Sequence, residues 1–208
     1  MNQEIKKRFY LIRHGETDPN KNHIIQGSGL DAPLNETGNK QASDFFKAYH
    51  HIHFDAIYTS SLIRTWQSVA EFLNLEISHR ALPELNEISW GVKDGTKIDP
   101  IEQKIYQRML DAWQDGYLDM SFEKGESPNQ VYKRMKVGLA KIMSFENEVN
   151  NLICIHGRAI RIFLCLLLGK PLTDMEGFLH SNLCLYIVEW DGNEWKITLG
   201  NDTSHIRY

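Results

Sequence analysis

Short apolar runs alternate with amphipathic stretches along most of the 208 residues. The run Phe9-Tyr10-Leu11-Ile12 predicts a strand over 8–12, and the run in ICI predicts a buried strand over 151–155. A shorter run predicts a strand over 55–59, and another is expected over 75–79. Between them lie stretches with apolar positions three and four apart. Ala42, Phe45, Phe46 and Tyr49 predict a helix over 35–49. Ser61 to Leu73 reads as one helix opened by serine caps. Ile101, Ile105, Met109 and Trp113 form one stripe of a helix over 99–115. Ser127 followed by Pro128 opens a helix to Phe145. The helix over 158–168 is stopped by Gly169 and Pro171. Residues 183–189 and 194–199 predict a hairpin turning at Asp191-Gly192-Asn193.

Strands separated by helices imply an α/β fold, a mainly parallel sheet with helices on both faces, closed by an antiparallel hairpin. The length suits one domain over 1–208. Few strand signals occur over 88–126, which predicts a helical lobe above the sheet. One internal echo stands out. LIRHG at 11–15 and ICIHG at 153–157 are each a buried strand ending in His-Gly. In an open parallel sheet, ligands sit beyond the carboxyl ends of the strands. Two such strands deliver His14 and His156 to one place.

Composition narrows the partners. A net charge of −4 gives no broad basic surface for nucleic acid or anionic membrane. The longest apolar run, Ile160 to Leu168, is interrupted by Arg161 and too short for a bilayer. No cleavage-like leader is read at the amino end, so the expected compartment is the cytoplasm. Cys154, Cys165 and Cys184 lie in apolar runs without C-x-x-C spacing and read as reduced, buried thiols. Monomer and homodimer both remain open.

The candidate chemistry is that of a phosphate ester. Its dianion needs several fixed donors, which arginine supplies bidentately. Attack at phosphorus needs a base unprotonated near neutral pH, and histidine qualifies. The departing alkoxide needs a proton, which a carboxylic acid gives. Arg13 and His14 end the first strand, Arg64 follows the second, His156 ends a later one, and Glu87 follows another. Gly15 and Gly157 offer close backbone approach to an anion. HHIH at 50–53 lacks a nearby carboxylate or cysteine to complete a metal site. It reads as a solvated helix end, and His14-Glu16-Asp18 is likewise set aside as a metal set.

The motifs, in order, resemble those of the histidine phosphatase superfamily, the phosphoglycerate mutase-like family. RHGETDPN is similar to its R-H-G-E-T-x-x-N signature, and QGSGLDAPLNETGNKQA to its Q-G-x-x-D-x-P-L…G-x-x-Q-A segment. YTSSLIRTWQSV, ELNEISWGVKDG, KGESPNQVYKR and ICIHGRAIR match four further segments. The resemblance implies a three-layer α/β/α sandwich. It also implies His14 as a nucleophile phosphorylated on a ring nitrogen, and Arg13, Arg64 and His156 as holders of the phosphoryl oxygens. Glu87 would be the proton donor; Glu84, three residues earlier, is the competing carboxylate. Asn20, Gln26, Gly27, Gly157 and Arg158 would contact substrate, a small phosphomonoester. No metal and no organic cofactor is implied.

Three departures concern the rim. Arg158 stands where the family has a second glycine, Lys93-Asp94 replace Trp-Glu, and Trp66 replaces a small residue. Lysines in 88–126 would suit a substrate with a second anionic group. A cofactor-dependent phosphoglycerate mutase is the nearest alternative, but ISWGVKDGTKID lacks the R-H-Y-G-type element of mutases. An idle phospho-ligand or partner-binding protein is the alternative from another class. Retention of all five chemical groups argues against it.

Overall fold

The computed structural model describes residues 4–207. Met1–Gln3, where the segment weighed for a leader begins, lie outside them. The chain runs β1 (Lys7–Arg13), α1 (Asp18–Lys21), α2 (Glu36–Tyr49), β2 (Ala56–Thr59), α3 (Ile63–Ser68), α4 (Ala70–Leu73) and β3 (Ser78–Ala81). It continues with α5 (Pro100–Gln114), α6 (Pro128–Met143), β4 (Asn150–Ile155), α7 (Gly157–Leu168), β5 (Leu185–Trp190) and β6 (Trp195–Asp202). Short 3₁₀ turns at Pro83–Leu85, Gly91–Lys93 and Leu172–Gly177 fill the links.

The six strands form one sheet in the order β3-β2-β4-β1-β5-β6. β3, β2, β4 and β1 run parallel to one another, whereas β5 is antiparallel to β1 and β6 antiparallel to β5. Side chains of a strand alternate faces, and β1 uses both. Phe9 and Leu11 join Ile153, Ile155, Phe163 and Met135 on one face, whereas Tyr10 and Ile12 join Leu152, Cys154, Phe45 and Phe72 on the other. Apolar cores on both faces make the three-layer sandwich. The two His-Gly strands are immediate neighbours in register: Leu11 faces Ile153 and Arg13 faces Ile155. All three cysteines are buried and unpaired, and among the described residues no helix is long and apolar enough to cross a membrane.

Several boundaries differ from expectation. The helix expected over 61–73 breaks at Val69 into α3 and α4, and its N-cap is Leu62, without a side-chain cap. Ser68 Oγ donates back to the Arg64 carbonyl at 2.7 Å, a bond that bends helices. Ser61 serves elsewhere, donating to Asn86. The strand expected over 75–79 forms at Ser78–Ala81, because Glu76 adopts φ 57° and turns the chain first. Ile101 is 69% exposed, so the apolar stripe of α5 starts effectively at Met109 and Trp113, which are buried. The first turn after β1 is a helix, α1, that alternation did not reveal. Thr17 caps it in a reciprocal box with Asn20.

Candidate active site

The carboxyl ends of β1 and β4 place His14 and His156 with ring centroids 5.2 Å apart. Both side chains are almost completely buried. His14 Nδ1 lies 2.7 Å from the Gly15 carbonyl. A carbonyl only accepts, so Nδ1 carries the hydrogen and Nε2 keeps its lone pair. Burial, reinforced by the Arg64 and Arg13 guanidinium groups, holds this imidazole well below its ordinary pKa. The ring is therefore a neutral base with one defined nucleophilic nitrogen.

His156 is fixed in the other tautomer. Arg64 Nε–H donates to its Nδ1 at 3.1 Å, so Nε2 carries the hydrogen, 2.8 Å from Ser60 Oγ. Burial, with the Arg64 charge next, also pushes this ring well below its ordinary value. Both its nitrogens are engaged within the protein. In this arrangement its Nδ1 orients Arg64. Arg64 is fully buried and also donates to the carbonyls of Leu30 and Gly27. Three of its five N–H groups are thus used and two remain. Burial lowers its pKa to about 10, so it stays cationic at neutral pH.

A cavity of about 190 Å³ is lined by Arg13, Asn20, Gln26, Glu87, Gly157 and Arg158, with His180, Tyr106 and apolar walls; Arg13 and Gly157 adjoin His14 and His156 in the chain, and His14, Arg64 and His156 themselves are not in its lining. Glu87 is 6% exposed. Its Oε1 accepts from the N–H of Ile88 and of Ala159, both at 2.9 Å, and its Oε2 from Arg158 N–H at 3.0 Å. A carboxylate has about four acceptor sites, so one remains, on Oε2. Arg134 fixes the same loop, donating to the carbonyls of Glu84, Asn86 and Glu87 while forking onto Glu126. Glu84 points elsewhere and pairs with Lys141 at 2.5 Å. The structure thus separates the two carboxylates.

Arg13 donates to the His180 carbonyl at 2.7 Å, while its Nε is buried without a partner among the described residues. Gln26 Nε2 is in the same state, its Oε1 being taken by Thr17 and Asn20. Gly157 N–H, at the start of the twelve-residue α7, has no partner among the described residues either. Unsatisfied donors around a cavity at a helix N-terminus form an anion site.

Two glycines have packing and bracing work of their own. Gly27 N–H donates to Asp94 at 2.7 Å and its carbonyl receives Arg64, so it braces the wall without lining the cavity. Gly15 N–H goes to Ser68 Oγ at 2.9 Å, and a Cβ there would lie 2.7 Å from the Gly38 carbonyl. Its missing side chain permits helix–loop packing. Lys93 pairs with Glu102 at 2.8 Å and does not line the cavity. Trp66 is 48% exposed.

Ser60, Ser68, His180 and Asn182 were not singled out from the chain. Ser68 follows Arg64 by four residues, one helical turn, which is a usable signal. Asn182 donates to the His14 carbonyl and to Asn20 from a loop with no local signature. His180 Nδ1 sits 3.3 Å from an Arg13 nitrogen, and burial, then Arg13, pushes its pKa down to about 3.

A family model described as histidine phosphatase superfamily (branch 1) matches residues 9–203. A curated relative, "Uncharacterized phosphatase PhoE" of Bacillus subtilis, is 30% identical over 94% of this chain and 95% of its own. "Probable phosphoglycerate mutase GpmB" of Serratia proteamaculans is 29% identical over 96% of this chain and 94% of its own. The solved structure of Bacillus stearothermophilus YhfR superposes with a TM-score of 0.84 at 28% identity, over 97% of this chain and 100% of that one.

Proposed function

The chain belongs to the histidine phosphatase superfamily (branch 1), and we propose that it hydrolyses phosphomonoesters through a phosphohistidine on His14, with Glu87 as proton donor. The observation that carries this reading is the tautomer of His14, whose Nδ1–H is committed to Gly15 so that only Nε2 can attack. The lone pair of Nε2 forms the N–P bond while the ester P–O bond breaks. The departing oxygen takes a proton from Glu87. The Glu87 carboxylate then takes a proton from water as that water's oxygen attacks phosphorus. The P–N bond breaks, inorganic phosphate leaves, and His14 and Glu87 return to their starting states. Arg13, the spare N–H groups of Arg64 and Gly157 N–H supply the positive field for the developing charge. His156 and Ser60 hold Arg64 in place.

The test is phosphate release from a panel of phosphomonoesters in EDTA, comparing wild type with His14→Ala. Turnover that survives EDTA and disappears in the variant supports the reading. Activity that requires metal, or persists without His14, overturns it. The mutase relatives supply a second reading, which predicts isomerisation of a monophosphoglycerate with no net phosphate release.

A further inference from the structure

The segment Gly38-Asn39-Lys40-Gln41-Ala42 has no part in the chemistry described so far, yet it reaches the peptide that decides which nitrogen of His14 attacks. Gln41 lies on α2 and is 7% exposed. The Glu16 backbone N–H donates to its Oε1 at 2.9 Å. Gly38, three residues earlier, lets α2 come this close. A Cβ at Gly38 would collide with the Glu16 carbonyl oxygen and lie 2.8 Å from the Glu16 nitrogen.

Glu16 N–H and the Gly15 carbonyl belong to one peptide unit. That unit is planar and trans, so its N–H and C=O point in opposite directions. Holding the N–H on Gln41 aims the carbonyl the other way, where it receives the Nδ1–H of His14 at 2.7 Å. No other partner of either group is seen among the described residues. The neighbouring units are held separately. Gly15 N–H goes to Ser68 Oγ at 2.9 Å, and Asn35 N–H goes to the Glu16 carbonyl at 3.0 Å. With its neighbours fixed and a glycine in front of it, the middle unit is still free to turn about the line joining its two Cα atoms.

Resting on the phosphohistidine reading above, we propose that Gln41 is a positioning residue: by pinning the Gly15–Glu16 peptide it keeps the hydrogen of His14 on Nδ1 and the lone pair on Nε2. Without the pin the carbonyl can swing away from His14, and nothing then reserves Nδ1 for the hydrogen, since the tautomer of an imidazole follows the bond its other nitrogen makes. A ring that carries its hydrogen on Nε2 has no free lone pair there to attack phosphorus. The proposed phosphate donors Arg13, Arg64 and Gly157 make no hydrogen bond with Gln41 among the described residues. The effect therefore falls on kcat and leaves KM alone.

Long-range proton–nitrogen NMR spectra of the full chain, labelled with ¹⁵N-histidine, tell a protonated ring nitrogen from a bare one. His14→Ala identifies the His14 signals by their loss. In the wild type, Nδ1 is expected protonated and Nε2 bare. Gln41→Met keeps the length of the side chain and removes the acceptor. In it the two His14 tautomers are expected to mix, and kcat for phosphate release to fall roughly two- to tenfold at unchanged KM, the worth of one hydrogen bond. Gln41→Asn, whose amide falls one carbon short, is expected to do the same and serves if the methionine variant does not fold. Gln41→Glu keeps an acceptor oxygen, beside Lys40 and Arg207 at the same small cavity, and is expected to restore the wild-type tautomer and rate. A wild-type ring with its hydrogen on Nε2, an unchanged His14 spectrum in Gln41→Met or Gln41→Asn, or a rate loss in Gln41→Glu equal to that in Gln41→Met would overturn the proposal. No phosphate release from any ester by the wild type, with the His14 tautomer still following residue 41, would sink the hydrolase reading alone.

Discussion

Replacing Glu87 by glutamine separates two jobs of one carboxylate. In the wild type its oxygens accept three backbone N–H bonds, two of them from the first turn of α7. Glutamine keeps one oxygen and turns the other into an NH₂ group. If the oxygen stays with Ile88 and Ala159, the NH₂ group faces Arg158 N–H and leaves a buried donor unpaired, at about 1–3 kcal/mol. That cost lowers Tm by roughly 2–12 °C for a chain of this size. Proton donation to the leaving oxygen is also lost, which costs about 10²–10⁴-fold in kcat. Glu84→Gln is the control. Glu84 sits on the far side of the loop against a half-exposed lysine, so its loss changes stability by less than about 1 kcal/mol and leaves kcat intact. Scanning calorimetry and phosphate release on the two variants read both quantities. An unchanged Tm in Glu87→Gln would refute the account of the amide cradle, and full kcat would refute the assignment of the acid.

Two further outcomes follow from the same geometry. His180 titrates near 3 in the folded chain against about 6.5 unfolded, so below about pH 6.5 the unfolded state binds more protons and stability falls as pH drops. The loss is about 2 kcal/mol at pH 5 relative to pH 8, with buried His14 and His156 acting in the same direction; calorimetric melts should show a smaller acid-side drop in Tm for His180→Gln, and an equal drop would contradict the assignment. Gly15→Ala puts a Cβ 2.7 Å from the Gly38 carbonyl and should cost about 1–3 kcal/mol by overpacking. Gly177→Ala meets nothing within 4 Å and should stay within ~0.5 kcal/mol; equal melts for the two would remove the packing argument.

What was legible in the chain was whatever depends on short-range pattern. Alternation and helical spacing located four of the six strands among the described residues to within two residues at each end, and the cores of the long helices. The echo of LIRHG and ICIHG became a true pair of neighbouring parallel strands, because each carries the same strand-to-loop transition. The boundaries that moved did so where a side chain competes with the backbone. Ser68 returns its hydroxyl to Arg64 and so contributes to the break between α3 and α4, and Glu76 turns left-handed ahead of β3. Neither event leaves a trace in hydrophobic periodicity.

The site divides along the same line. Residue types with chemistry of their own, such as His14, Arg64, His156 and Glu87, are recognisable from their setting. The tautomer that makes His14 useful is not. It depends on a carbonyl one residue away and on a loop angle set by the contact of Gly15 with Gly38, twenty-three positions apart. The same holds for the charge balance at Arg158. Sequence spacing places Arg158 and Arg161 on neighbouring positions of one helix, three apart, which reads as ordinary repulsion. Only Glu176, arriving from the Leu172–Gly177 turn, offsets that repulsion by pairing with both guanidinium groups.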